Sequence, residues 1–364
     1  MSARVCFVVG ARPNFMKAAP VYRQLAALDP SLELVLVHTG QHYDEAMSDV
    51  FIRELGLPRP DEFLGVGSGT HGEQTAKALV GVERVLRERE IDLCVVAGDV
   101  NSTLAGALAA VKAGVLVAHI ESGLRSFDRT MPEEHNRKLT DHVSDVLLTH
   151  SEDANQNLQR EGIPPDAVHL VGNTMIDSLL DYVDAARARK PWDTFGLQPR
   201  AYGLVTLHRP ALVDVPERLA AVTDGLVALA AVSPVVFPVH PRTHARLAAN
   251  GGEERLRRAG VHVSPPLGYL DFLGLEAEAG FVVTDSGGVQ EETSALDVRC
   301  FTLRDTTERP VTVALGTNTV LGASPERLAE IPALRQREKP GEEIPLWDGH
   351  AGERAAEVLR RTLG

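Results

Sequence analysis

The stretch Phe281–Glu292, FVVTDSGGVQEE, carries the pattern that decides the fold. A short apolar run, Phe281–Thr284, leads into Ser-Gly-Gly and then into a predicted helix, Val289–Leu296. An apolar strand that turns through glycine directly into a helix is typical of a parallel sheet covered by helices on both faces. The glycines also let the backbone approach a ligand, and amides at a helix start can hold a phosphate.

The same alternation of apolar runs and helical segments extends along the chain. In the first half we predict strands at Val5–Val9, Glu33–His38, Leu93–Ala97, Val115–Ile120 and Val146–Thr149, and helices at Lys17–Leu28, Gln74–Arg89 and Thr103–Ala113. In the second half we predict strands at Leu204–Leu207, Val235–Val239, His262–Ser264, Phe281–Thr284 and Cys300–Leu303, and helices at Pro216–Ala230, Thr243–Ala249, Leu270–Ala279 and Val289–Leu296.

This pattern predicts the α/β class, with two doubly wound, Rossmann-like domains that face a cleft. We expect the first domain to span residues 1–172 and the second to span residues 173–351. The segment 352–364 is predicted to be an amphipathic helix that packs back on the first domain.

Composition narrows the class of protein. The 364 residues suit two domains, at roughly 150 residues each. A formal net charge of -13 disfavours nucleic acid and anionic membranes as partners, because both require basic patches. The 3 cysteines are widely separated in or beside apolar runs, which indicates buried free thiols in a reducing compartment. Without a signal-peptide pattern or an apolar stretch near ~20 residues, we expect a cytoplasmic protein with no membrane insertion.

Charged residues of the first half follow the carboxyl ends of predicted strands. Arg12 and Lys17 flank a helix start, where backbone amides favour an anion, although two solvated cations would give the same pattern. Asp99 follows a buried strand and Gly98, so it is either a catalytic group or a cap for the next helix. Glu121 lies at the end of the following strand.

Glu133 is the third carboxylate of this kind. Pro132 suits the first position of a helix, which places Glu133 in its first turn. Glu133 and Arg137 are four residues apart, so an ordinary surface ion pair is the alternative to a catalytic role. Because Asp99, Glu121 and Glu133 follow consecutive parallel strands, we expect them at one edge of the sheet. Crowding there can push their pKa values apart, as proton transfer at carbon requires.

Histidines and glycines mark the second half. His208 and His240 follow consecutive strands, and Glu292 lies in the helix after Ser-Gly-Gly, near enough to accept from ribose hydroxyls. His240 and His244 share a helical spacing but have no acidic partner of the zinc type, so no metal is predicted. Gly67–Gly72 matches the dinucleotide fingerprint, but Pro60–Val66 before it has no strand character, so no NAD or other cofactor is expected.

With these residues assembled, the chain resembles the non-hydrolysing UDP-N-acetylglucosamine 2-epimerases. The motifs of the resemblance run in order along nearly the whole length: GARPNFMK, HTGQHYD, AGDVNSTLAG, HIESGLR, MPEEHNR, NLQREG, VGNTMIDSL, VTLHRP, PVHPRT, TDSGGVQEE, RDTTERP and DGHAGERA. The resemblance implies the glycosyltransferase-B architecture, a homodimer, no metal or NAD, and an isomerase of polysaccharide biosynthesis. It also implies a UDP-sugar substrate, from which UDP is eliminated to a 2-acetamidoglucal and then added back.

The resemblance also assigns roles to residues. The proton-transfer carboxylates would be Asp99, Glu121 and Glu133, and the other catalytic residues Lys17, Arg137 and His208. UDP would be held by Arg12, His208, His240, Phe272, Ser286, Gly287, Gly288 and Glu292, with Glu292 on the ribose and Phe272 beside the uracil.

Departures from the family pattern leave the substrate and the regulation open. Asn14 stands where many members have Glu, and Pro210-Ala-Leu stands where they have Arg-Glu-Asn. A second, allosteric site is kept in part by Gln41, His42 and Gln74, but Glu73 stands where activated enzymes carry Arg. The short MPEE insert also resembles relatives acting on UDP-2,3-diacetamido-uronic acids, so a modified sugar or a hydrolysing variant is the alternative, with a non-catalytic UDP-sugar-binding protein more remote.

Overall fold

The structure, a computed structural model, describes residues 2–40, 55–336 and 341–364, with Arg12 described by its backbone alone. The chain divides into two units, Met1–Ser178 with Pro345–Gly364, and Leu179–Ile344. The boundary between them falls inside one helix, Thr174–Ala188. Each unit contains one parallel β-sheet.

The sheet of the first unit has seven strands in the order β3-β2-β1-β4-β5-β6-β7. Their bounds are β1 Arg4–Val9, β2 Glu33–His38, β3 Glu62–Phe63, β4 Leu93–Ala97, β5 Leu116–Ser122, β6 Val146–Thr149 and β7 Val168–Leu170. The central strands are continuous apolar runs because helices cover both faces of the sheet, and β4 is buried along its whole length.

The helices of the first unit are α1 Arg12–Leu28, α2 His71–Glu88, α3 Asn101–Ala113, α4 Pro132–His142, α5 Glu152–Arg160, α6 Thr174–Ala188 and α15 Ala351–Leu363, with a short 3-10 turn at Pro165–Ala167. Helix α15 packs on α1 so closely that a Cβ on Gly352 would lie 2.7 Å from Cβ of Pro20. The start of α15 is fixed by Asp177, which accepts hydrogen bonds from the amides of Ala351 at 3.1 Å and Gly352 at 2.6 Å.

The sheet of the second unit has six strands in the order β10-β9-β8-β11-β12-β13. The strands are β8 Gly203–Thr206, β9 Val235–Pro238, β10 His262–Ser264, β11 Phe281–Thr284, β12 Cys300–Thr302 and β13 Asn318–Val320. The helices are α7 Pro210–Val213, α8 Pro216–Ala230, α9 Pro241–Ala249, α10 Gly252–Arg258, α11 Tyr269–Ala277, α12 Gly287–Ala295, α13 Pro310–Ala314 and α14 Ile331–Leu334, with 3-10 turns at Pro191–Phe195 and Pro325–Glu330. The core contains Phe237, Phe281 and Phe301.

The α/β class and the two doubly wound sheets are confirmed. One expectation about the first unit is wrong: the segment before the Gly67–Gly72 loop does contain a strand, the two-residue edge strand β3, which pairs with β2. The loop then leads into α2, which Thr70 caps by accepting from the amide of Glu73. All three cysteines are buried thiols, as predicted. Among the described residues, no helix has both the length and the apolar character needed to cross a membrane.

The strand orders place the predicted site residues at two topological switch points. In the first sheet the order reverses between β1 and β4, and in the second it reverses between β8 and β11. Ligands of open parallel sheets bind beside the carboxyl ends of strands at such points. Gly10, Asp99, His208 and Ser286 all lie in the loops that follow these four strands.

Candidate functional site

Asn14 holds the turn between β1 and α1. Its side-chain oxygen accepts from the amides of Gly10 at 3.2 Å and Ala11 at 3.1 Å, and its amide nitrogen donates to the carbonyl of Ala97 at 2.7 Å. The buried side chain therefore ties the first strand's turn to the end of β4. Helix α1 begins at Arg12, before the predicted start at Lys17, so Lys17 lies inside the helix. The side chain of Arg12 lies outside the described residues.

Lys17 and Glu121 form an ion pair inside the first unit. The Lys17 ammonium contacts Oε2 of Glu121, and their side chains are only 7% and 5% exposed. Glu121 adopts a φ of 65°, in the left-handed region that a non-glycine residue occupies at an energetic cost. It is the extra residue of a β-bulge, since the pairing of β5 with β6 shifts between Ile120 and Ser122. The bulge re-aims the carboxylate at the strand's end, which is a common use of bulges at functional sites.

Gly98 lies close to the side chains of Lys17, Glu121 and Asn14, and this position favours glycine. Its φ is +68°, and a Cβ at this position would lie 3.0 Å from Nζ of Lys17, 3.4 Å from Oε2 of Glu121 and 3.5 Å from Nδ2 of Asn14. The amide of Gly98 donates to the carbonyl of Ile120 at 3.0 Å. A glycine therefore lets the end of β4 pass against the buried ion pair.

Asp99 is held by Arg137 rather than by a helix. Its Oδ2 accepts from Nη2 of Arg137 at 2.6 Å and from Nε at 3.0 Å, and Asn136 donates to its carbonyl at 2.9 Å. The capping alternative is wrong, because Val100 occupies the cap position of α3 and no side chain caps that helix. Asp99 therefore presents a carboxylate that a bidentate guanidinium orients.

The ion pair between Glu133 and Arg137, which was the alternative to a catalytic role, is not formed. The Arg137 guanidinium lies between Asp99 and Glu134, whose Oε2 is 3.0 Å from Nη1. Glu134 also accepts from the amides of Ser126 at 2.8 Å and Phe127 at 3.1 Å. Glu133 lies half-buried in the first turn of α4, after Pro132 at its first position as predicted. Spacing along one helix could not reveal the partner from another strand.

His119 is a buried residue that sequence reasoning left without a role. Its Nδ1 lies 2.7 Å from Oδ1 of Asp141, and its Nε2 lies 2.8 Å from the carbonyl of Gly98. Both partners of the ring are groups that accept hydrogen bonds, a carboxylate and a backbone carbonyl. Burial alone would raise the pKa of Asp141, but His119 and Arg125 outweigh it and lower that pKa. The His119 ring fixes the peptide that precedes Asp99. The sequence feature that could have indicated a role for His119 is its position two residues before Glu121.

In the second unit, Asp285 organises the turn after β8. It accepts from the amides of His208 at 2.9 Å and Arg209 at 2.8 Å, and its Oδ1 lies 3.1 Å from Nδ1 of His208. Burial alone would raise the pKa of Asp285, but the bonds from His208 and Arg209 lower it below the ordinary value. The carboxylate is therefore ionised, and it orients the His208 ring through Nδ1.

His240 lies beside His208, as the sequence predicted for two neighbouring strands. The ring centroids are 5.4 Å apart. His240 caps α9 by accepting from the amide of Arg242 at 3.2 Å. Burial lowers the pKa of His240, and the nearby charges of His208 and Arg242 lower it further. The two rings thus differ in role: His208 is paired with a carboxylate, and His240 is a neutral acceptor at a helix start.

The Ser-Gly-Gly turn opens helix α12, with Ser286 at its cap. The amide of Ser286 donates to Oγ1 of Thr284 at 2.9 Å. The amides of Gly287 and Gly288 belong to the first turn, where no intrahelical acceptor exists, and suit an anion. A Cβ on Gly287 would lie 2.5 Å from Nη1 of Arg309, so a larger residue would have to displace this buried cation. Arg309 in turn lies 3.0 Å from Glu291.

Glu292 and Phe272 lie on neighbouring helices of the second unit. Glu292 is buried in α12, and Phe272 is half-buried in α11. Next to Glu292 is Glu276, a carboxyl without any exposure that sequence reasoning missed. Burial raises the pKa of Glu276 well above its ordinary value, and the charge of Glu292 raises it further.

The residues of the suggested allosteric site divide into two groups. Gln41 and His42 lie outside the described residues. Gln74 is buried in α2, where it donates to the carbonyl of Gly67 at 3.1 Å and accepts from Asn101 at 2.9 Å. In the structure it therefore links the glycine loop to the start of α3.

Comparison with known proteins identifies this arrangement. Residues 25–360 match the family model described as UDP-N-acetylglucosamine 2-epimerase. The chain belongs to the UDP-N-acetylglucosamine 2-epimerase family. A family member from Methanocaldococcus jannaschii, named UDP-N-acetylglucosamine 2-epimerase, is 41% identical over 362 residues and covers 98% of each chain. A Pseudomonas aeruginosa relative, UDP-2,3-diacetamido-2,3-dideoxy-D-glucuronate 2-epimerase, is 40% identical over 364 residues, 98% of this chain and 99% of its own.

The fold agrees with that of solved family members. The crystal structure of the Methanocaldococcus jannaschii enzyme, in complex with UDP-GlcNAc and UDP, superposes with a TM-score of 0.90 at 42% identity and covers 100% of both chains. The resemblance inferred from the sequence motifs, and the glycosyltransferase-B class of fold that it implied, are therefore confirmed.

Proposed function

We propose that this family member interconverts UDP-GlcNAc and UDP-ManNAc. The bond between C1 and the diphosphate breaks as the C2 proton is removed, giving UDP and 2-acetamidoglucal by anti elimination. UDP then adds back to C1 while a proton is delivered to the other face of C2. The similarity to the Methanocaldococcus jannaschii epimerase over the whole chain supports this reaction.

The observation that carries the proposal is the conformation of Glu121. A buried carboxylate on a β-bulge, at a φ of 65°, is costly to the fold. Such strain is typical of sites where a side chain must be aimed at a reacting atom. We assign Glu121 and Asp99 to proton transfer at C2, with Glu133 as the third carboxylate. Which of them takes the proton is left to experiment.

Lys17 and Arg137 are proposed to orient these carboxylates. Each guanidinium or ammonium contacts a carboxylate directly, Lys17 with Glu121 and Arg137 with Asp99. An ionised carboxylate can accept a proton, and a fixed geometry removes the entropic cost of aligning it. The two cations therefore hold the proton-transfer carboxylates in position.

The departing diphosphate needs groups that stabilise its growing negative charge. We propose that His208, oriented by Asp285, and the amides at the Ser286–Gly288 turn bind it, together with Arg12. His240 would complete this part of the site. Glu292 is proposed to accept from the ribose hydroxyls, and Phe272 to contact the uracil.

A modified sugar is the second candidate, because the Pseudomonas aeruginosa relative is almost as similar over the whole chain. A 2-epimerase for a UDP-2,3-diacetamido-uronic acid would use the same carboxylates at C2. A hydrolysing variant would instead release UDP and the free sugar. A direct comparison of turnover on both nucleotide sugars distinguishes these possibilities.

The experiment that tests the proposed reaction is incubation with UDP-GlcNAc in D2O. Deuterium at C2 of a UDP-ManNAc product is the expected result, because the proton removed at C2 exchanges with solvent before re-addition. UDP binding with neither product nor exchange would refute this substrate and direct the assay to the diacetamido sugar. Release of free N-acetylmannosamine would instead identify the hydrolysing reaction.

We further propose that the enzyme is cytoplasmic, and that it is a homodimer, as the family resemblance implies. Light scattering coupled to size-exclusion chromatography measures the molar mass directly, and a mass of one 39.3 kDa chain would contradict the dimer. Sigmoidal dependence of the reverse reaction on UDP-GlcNAc would indicate that the partial site at Gln41, His42 and Gln74 still activates the enzyme.

A further inference from the structure

Glu276 has no place in the reaction outlined above, and yet it is fully buried near the end of α11. Neither of its carboxylate oxygens has a hydrogen-bond donor among the residues that the structure describes. An ionised carboxylate buried without a donor is one of the most expensive groups a protein can contain. The residue therefore needs a partner that removes its charge or shares its proton.

The polar group that meets Glu276 is the carboxyl of Glu292 on α12. Two other polar groups of this region are engaged elsewhere. Glu278 lies 2.9 Å from Arg187 and 3.9 Å from Arg200, and the hydroxyl of Tyr202 donates to the carbonyl of Leu275 at 2.7 Å. Of the charged groups described, Glu292 is the one whose field acts on Glu276.

Two adjacent carboxyls in a dry site hold one proton between them, because two negative charges in contact are unstable there. Glu276 has no exposure, whereas Glu292 is 9% exposed. The proton therefore resides on Glu276, and Glu292 remains the carboxylate. A protonated carboxyl donates one hydrogen bond, and Glu292 is the acceptor within its reach.

We propose that Glu276 is a positioning residue for nucleotide recognition, a neutral acid that donates to Glu292 and fixes that carboxylate for the two ribose hydroxyls of UDP. This inference rests on the proposed function, in which Glu292 binds the ribose. It adds a residue that never touches the ligand and acts through another side chain. It also predicts that nucleotide binding weakens when Glu276 ionises in alkaline solution.

The test compares two ligands on three proteins. UDP and 2′,3′-dideoxy-UDP are titrated calorimetrically into the unaltered protein, Glu276→Gln and Glu276→Leu, from about pH 6 to about pH 9. The dideoxy ligand lacks both hydroxyls, so we divide its dissociation constant by that of UDP. This ratio reports the contribution of the diol alone and cancels the titration of the phosphates. Glu278→Gln, which makes the same substitution two residues further along the chain at the carboxylate that pairs with Arg187, is the matched control.

The expected result is a roughly tenfold loss of UDP affinity in Glu276→Leu, with little change for the dideoxy ligand. Glu276→Gln keeps a donor, so it should bind UDP as the unaltered protein does and lose the alkaline decline in the ratio. Glu278→Gln should leave the ratio and its pH dependence unchanged.

The inference is overturned if Glu276→Leu weakens both ligands equally, or if the ratio of the unaltered protein does not fall with pH. Should Glu276→Leu fail to fold, Glu276→Gln and the pH profile of the unaltered protein decide the question. Absence of UDP binding by the unaltered protein would instead refute the proposed function itself.

Discussion

The buried pair of Lys17 and Glu121 allows its structural and catalytic contributions to be separated. We consider Glu121→Gln, Lys17→Met and the double variant. Both side chains are almost without exposure, at 7% and 5%. Removing one partner of such a pair leaves the other charge uncompensated in a low dielectric, which typically costs about 3–5 kcal/mol of the free energy of unfolding.

The double variant has a different expected cost. With both charges gone, no uncompensated charge is left, and neutral replacements of buried pairs are often close to neutral in stability. The double variant should therefore be more stable than either single variant, with a coupling energy of several kcal/mol. The exposed pair of Arg84 and Glu88, with side chains 48% and 58% exposed, is the matched control and should couple by only about 0.3–0.5 kcal/mol.

Urea unfolding at equilibrium measures these free energies, and epimerisation of UDP-GlcNAc measures turnover. All three variants should lose turnover even though the double variant regains stability, because the proposed base or its orientation is missing. Losses of stability that add to within about 0.5 kcal/mol would refute the buried ion pair. Turnover restored in the double variant would remove Glu121 from the chemistry.

Three further changes test the site. Gly98→Ala should reduce kcat by about 10²-fold and destabilise the fold by about 1–2 kcal/mol. The reason is that its Cβ would lie 3.0 Å from Nζ of Lys17, at a positive φ. A normal kcat would contradict this geometry. Asp99→Asn should abolish turnover and leave the Kd for UDP within about twofold, measured by calorimetry, and an unchanged rate would exclude Asp99 from proton transfer. The lowered pKa of Asp285 means that its contribution to stability is complete above the ordinary carboxyl pKa of about 4 and is lost as the pH falls through the lowered value. In urea unfolding at several pH values, Asp285→Asn should therefore be less stable at neutral pH and lose that acid dependence, and an unchanged acid limb would contradict the bonds from His208.

The sequence predicted the elements that rest on apolar runs. Strands such as β4, LCVVA, are buried on both faces, so hydrophobicity alone marks them. Strands β3, β7 and β13 were missed because they consist of two or three residues with polar members, EF, VHL and NTV, and exist through pairing with a neighbour. Edge strands of this kind carry little local signal.

For the candidate site, the sequence predicts where residues lie but not which side chains they contact. The topology brings Asp99 to its predicted place, because parallel strands end at one edge. Its guanidinium partner, 38 residues along the chain, could not be read from helical spacing. The left-handed backbone of Glu121 and the two acceptors around His119 depend on tertiary contacts, which a single sequence does not encode as local patterns.

The docking of α15 on α1 has a consequence for how the chain folds as it is synthesised. Asp177 accepts from amides 174 and 175 residues further along, so the first unit cannot be completed until residues 345–364 have left the ribosome. The second unit, 179–344, is continuous and can close its core earlier. Until then, α1 exposes the surface that Gly352 later covers.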